Sequence, residues 1–129
     1  MDRTSQLGDL QIALLRALWD RGEATVAQVH DDLRQERGLA PTTIATVLTR
    51  MEKRGIVTHR NEGRQFVYRP LVSEQDIRQS MVGELTELLF EGDVAALVSH
   101  LISGREIAPG DLARVKVLIA SREKELGGN

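Results

Sequence analysis

Apolar positions recur with a helical period along most of the chain and alternate in one short stretch. Leu10, Leu14, Ala17 and Leu18 make a first stripe, widened by Ile12, Leu15 and Trp19, which suits the central helix of a small bundle. That helix is expected to begin near Asp9, with its carboxylate capping the first turn, and to end at Gly22. Thr25-Val26-Ala27-Gln28 has the form of a capping box, and the helix it opens turns Val26, Val29 and Leu33 inward before stopping at Gly38. A third helix starts at Pro41, whose fixed φ and missing N–H suit a first turn. Ile44, Val47, Leu48 and Met51 fall on one face of it at i, i+3, i+4 and i+7. So short a link between the second and third helices outlines a helix-turn-helix.

After Gly55 the period becomes alternating. Ile56–Arg60 and Gln65–Arg69 are rich in β-branched and aromatic residues, and Asn61-Glu62-Gly63-Arg64 between them is turn chemistry, so a β-hairpin is expected. Arg60 and Arg64 are placed at its tip, and Phe66 and Tyr68 share a face that can pack back on the helices. Pro70 closes the second strand. Helical spacing then returns in three stripes: Ile77, Met81, Leu85, Leu88 and Leu89; Val94, Leu97, Val98, Leu101 and Ile102; Leu112, Val115, Leu118 and Ile119. The predicted fold is mostly α with a small β-hairpin wing: a winged helix-turn-helix over residues 1–72, followed by a three-helix dimerisation region over 73–129.

Residues 73–129 are too few to enclose their own stripes, so a second copy of the chain is expected to cover them. Leu85, Leu88, Leu89, Val94, Leu97, Val98, Leu101 and Leu118 are the predicted interface of this homodimer. The alternative is that the same stripes fold back on the winged helix of their own chain.

The polar face of the third helix carries the candidate chemistry. Thr42, Thr43, Thr46, Thr49, Arg50 and Lys53 fall together opposite the buried stripe, giving short hydroxyls and long cations with no acid among them, a surface shaped for a DNA groove. The charge distribution reinforces this. The chain has a net charge of −2, yet residues 40–70 hold six cations and two anions between acidic flanks. Arg60 and Arg64 extend the cationic surface onto the wing, where phosphates beside the groove come within reach.

The remaining composition excludes more than it suggests. No cysteine is present, so thiolate metal sites and disulfides are ruled out, and a reducing cytoplasm is the expected location. His30, His59 and His100 are scattered without metal-ligand spacing, and no cofactor is expected. Met1–Gln6 has no apolar leader core, and no apolar run is long enough for membrane insertion. An enzyme is disfavoured, because neither a paired histidine and carboxylate nor a glycine-rich phosphate loop after a strand is found.

These residues resemble the penicillinase-repressor family of bacterial winged-helix regulators, the BlaI, MecI and CopY group. The likeness runs from Leu7-Gly8-Asp9-Leu10-Gln11 through Leu18-Trp19 to the wing and the three-helix tail. Its most specific part is the Pro-x-Thr-x-x-Thr-x-x-Thr-Arg pattern from Pro41 to Arg50, followed by Lys53-Arg54-Gly55. The resemblance implies a dimeric repressor on palindromic operator DNA, with Thr43, Thr46 and Arg50 on the DNA-reading helix. Antibiotic-responsive members are inactivated by proteolysis near the C-terminus, after a membrane-bound zinc-protease sensor detects a β-lactam. The matching position here is His100-Leu101, where those members have Asn-Phe, so release by that sensor or another protease is an expectation with an altered bond. Copper-responsive members carry a C-terminal cysteine cluster that this chain lacks. The rival to a DNA-binding repressor is a winged helix used only for protein–protein contact, its basic face meeting an acidic partner.

Overall fold

The computed structural model describes residues 7–104 and 107–127. Its elements are α1 (Asp9–Arg21), β1 (Ala24–Thr25), α2 (Val26–Arg37), α3 (Pro41–Lys53), β2 (Val57–Glu62), β3 (Gln65–Pro70), α4 (Glu74–Phe90), α5 (Val94–Ser103) and α6 (Pro109–Leu126). They divide into two compact units, residues 1–84 and 85–129. The division between these units falls inside α4. Its first turns belong to the first unit because Ile77 is buried in that unit's core and Met81 packs against it.

The first unit is a winged helix. Leu14, Leu15 and Leu18 of α1 meet Val29 of α2, Ile44, Leu48 and Met51 of α3, and Ile56 and Val57 at the entry to the wing, all essentially fully buried. The capping box of α2 forms as its sequence requires: the Thr25 hydroxyl accepts from the Gln28 N–H at 3.2 Å and the Gln28 amide oxygen from the Thr25 N–H at 2.9 Å. Asp9 does not cap α1. The N-cap is Gly8, and the Asp9 carboxylate instead takes the Arg37 guanidinium at 3.3 Å, joining the start of α1 to the end of α2. Trp19 Nε1–H donates to the Val72 carbonyl at 2.9 Å, pinning the chain where it leaves the wing.

The sheet is antiparallel in the order β1-β3-β2. Pairing of β2 with β3 runs from Val57 opposite Pro70 to Glu62 opposite Gln65. Asn61 and Glu62 are therefore strand, and the turn is only Gly63-Arg64. Gly63 has φ 62°, and positive φ at the first central position is what a two-residue hairpin of the II′ kind demands. Strand β1, absent from the sequence-based expectation, places Ala24 opposite Tyr68 and Thr25 opposite Val67.

In the second unit, Asp93 caps α5 by accepting from the Ala96 N–H at 3.0 Å. Neither α5 nor α6 has a buried residue. Leu85, Leu88, Leu89, Val94, Val98, Leu101 and Leu118 are exposed, and Leu97 is half-buried. No helix among the described residues is long and apolar enough to cross a membrane.

Candidate nucleic-acid interface

Helix α3 shows two faces. Ile44, Leu48 and Met51 are buried, whereas Thr42, Thr43, Thr46, Thr49, Arg50 and Lys53 are all exposed. Among the described residues, the side chains of Arg50 and Lys53 have no hydrogen-bond or ion-pair partner, so both cations stand free in solvent. Thr46 and Thr49 donate their hydroxyl protons to the carbonyls of Thr42 and Ala45, each at 2.9 Å. Ala40 supplies no side-chain cap and no acid stands in the first turn, so the positive end of the α3 dipole is not neutralised by its own side chains.

The acid of this helix, Glu52, points away from the polar face. It is half-buried and accepts from His59 Nδ1 on β2 at 2.6 Å. A carboxylate in the last turn of a helix opposes the dipole, and the imidazole N–H offsets that cost. His59 in turn lies stacked on Phe66, with ring centroids 4.1 Å apart and 19° between planes.

The two wing cations differ. Arg64 lies in the turn, exposed and without a partner among the described residues. Arg60 is not at the tip. It sits opposite Val67 and donates hydrogen bonds to Glu23, at 2.7 Å, and to Glu62. Those two hydrogen bonds, Glu23's first, push its guanidinium pKa still higher. The sequence offered no sign of this, because Glu23 is far away in the chain and reaches Arg60 only through the β1-β3-β2 order. Phe66 is likewise a correction. It shares a face with Tyr68, but Tyr68 is 2% exposed and Phe66 47%. Two residues nearer the turn, Phe66 lies beyond the reach of the helices, and the His59 ring covers part of it.

Between α3, the start of α2 and β3 lies an open groove of about 380 Å³, lined among others by Ala45, Thr49, Arg64 and Phe66. It adjoins the polar face of α3, so a ligand along that face meets the wing as well. Among the described residues no three His, Cys, Asp or Glu side chains are grouped to hold a metal ion.

The family model of the penicillinase repressor matches residues 7–121. The chain belongs to the penicillinase repressor family. This is a family of transcriptional repressors, not of enzymes. The penicillinase repressor of Bacillus licheniformis is 23% identical over 128 residues, covering 97% of this chain and all of that one. The transcriptional regulator BlaI of Mycobacterium tuberculosis is 35% identical over 104 residues, 79% of this chain and 75% of that one. Among solved structures, the Bacillus licheniformis BlaI monomeric form in complex with the blaP half-operator matches with a TM-score of 0.50 and 32% identity, over 59% of this chain and 93% of that one. As a family member the chain is a DNA-binding transcriptional repressor, and its fold is the expected winged helix followed by C-terminal helices.

Proposed function

We propose that this repressor binds a pseudo-palindromic operator as a homodimer, reading each half-site with α3 and flanking phosphates with the wing. The observation that carries the reading is the exposed face of α3, hydroxyls and unpaired cations without an acid, beside an exposed Arg64. Thr42, Thr43, Thr46 and Thr49 are assigned to groove contacts, and Arg50, Lys53 and Arg64 to guanine edges or phosphates. Arg60 reaches a phosphate only by exchanging its carboxylate partners, so its first role is to tie the wing to the loop before β1.

The dimer closes through Leu85, Leu88, Leu89, Val94, Leu97, Val98, Leu101 and Leu118, and the exposure of all but the half-buried Leu97 in the single chain supports the assignment. Half-sites then lie about one helical turn apart. Release by proteolysis at His100-Leu101, by a membrane-bound zinc-protease sensor or another protease, requires α5 to open first, since both residues lie inside that helix. Double-stranded operator DNA and a second copy of the chain are therefore the assigned partners.

The test is a fluorescence-anisotropy titration of the full chain against a duplex it has selected from a random pool and against a scrambled one. Thr46→Ala should reduce the preference between the two, whereas Lys53→Ala should weaken both alike and flatten the log–log salt dependence by about 0.9. If both variants bind like the parent, α3 is not the reader; if no duplex is preferred at all, the protein-contact reading takes its place.

A further inference from the structure

Phe66 is a large aromatic left half in water beside a face otherwise made of hydroxyls and cations. The strand register does not force that position to be aromatic, since Asn61, opposite it, is polar and exposed. Its ring is nevertheless held. His59 stacks on one side, Tyr68 meets its edge with centroids 6.3 Å apart, and His59 is itself fixed by the Glu52 carboxylate from the last turn of α3. A carboxylate only accepts, so Nδ1 of His59 carries the proton in this bond, and the ring orientation is set by a helix residue seven positions earlier in the chain. The series Glu52, His59, Phe66 thus runs from the reading helix to the wall of the groove.

We propose that Phe66 contacts the apolar edge of a deoxyribose in the operator backbone, and that Glu52 is a positioning residue acting on it through His59. The inference rests on the DNA-binding reading above. The groove suits this occupant because Arg64 on its rim supplies a cation for the adjoining phosphate, while Phe66 and Ala45 supply apolar surface of the kind a sugar presents. The coupling holds the wing and α3 in register, so that a strand seated on one is correctly placed for the other. It also keeps the Glu52 charge turned from the phosphates.

The test uses the full chain with the duplex it selects from a random pool, titrated at several salt concentrations. Phe66→Ala costs the core only the edge contact with Tyr68 and should weaken binding about tenfold, with the salt slope unchanged because no phosphate charge is lost. Glu52→Ala should weaken binding about fivefold in the parent and not further in the Phe66→Ala background, since the two act in series. Glu52→Gln keeps an acceptor for Nδ1–H and should stay within about twofold of the parent. Parent-like binding by Phe66→Ala, additive effects of the two substitutions, or equal losses for the two Glu52 variants would each overturn the inference and leave the DNA reading intact. Failure of the parent to select any duplex would overturn both.

Discussion

In residues 1–84 the apolar stripes of three helices and a hairpin close on one another, whereas residues 85–129 carry stripes just as regular that stay in solvent. Leu14, Leu18 and Leu48 are inaccessible; Leu88 is 73% exposed and Leu101 59%. Periodicity is the same in both, so it reports that a face is meant to be covered and not by what. Geometry makes the difference. A wide stripe on α1 can be covered from several sides at once by α2, α3 and the sheet, while two helices and the end of a third cannot surround each other's apolar faces. The first unit encloses its own apolar faces, and the second leaves its apolar faces exposed.

That contrast breaks most visibly on truncation. A chain ending at Glu84 should remain folded and sediment as a monomer, the full chain should sediment as the proposed dimer, and the truncated chain's affinity for a two-half-site duplex should be lower by about two to four orders of magnitude. A truncated chain that still dimerises would remove the assigned role of residues 85–129. Next in size is Leu48→Ala, which opens a cavity in the closed core and should lower the unfolding free energy by about 2–5 kcal/mol, measured by urea denaturation at any protein concentration. Leu88→Ala sharpens the comparison from the other side. Its effect should be smaller, on the order of 1–2 kcal/mol, and should appear as a concentration-dependent melting midpoint.

The smallest effect concerns a surface pair. The Arg21 guanidinium grips Asp32 with two hydrogen bonds, at 2.7 and 2.8 Å, and holds its carboxyl below the ordinary value of 3.8. A depressed folded-state pKa stabilises the fold above the unfolded value, and the gain disappears as pH falls through the lower folded one. Asp32→Asn should therefore lower the melting midpoint by about a degree or two near neutral pH and leave it unchanged in strong acid.

Much of the fold was legible because its signals are local. The capping box at Thr25 and Gln28, Pro41 at the first turn of α3 and the positive-φ glycine in the hairpin each act within a few residues. What was missed depends on pairing across the chain. Two residues cannot show alternation, so β1 exists only because β3 has an edge to offer Ala24 and Thr25. The polar face of α3 could be read from its sequence alone, but the Glu23–Arg60 pair and the Glu52–His59 hydrogen bond could not, since both are set by how the wing folds against the helices. Phe66 was misjudged for the same reason: alternation gives the face of a strand and not how far along it the cover extends.

The threonines of α3 carry one further consequence, for the vocabulary of bases that this helix can address. A hydroxyl whose proton is committed to its own backbone can only receive, so Thr46 and Thr49 in this arrangement offer oxygen lone pairs and methyl groups. In a major groove those match the exocyclic amines of adenine and cytosine and the C5-methyl of thymine, leaving guanine to Arg50. On the proposed docking, Thr46 and Thr49 select bases that donate or are greasy, and Arg50 selects one that accepts.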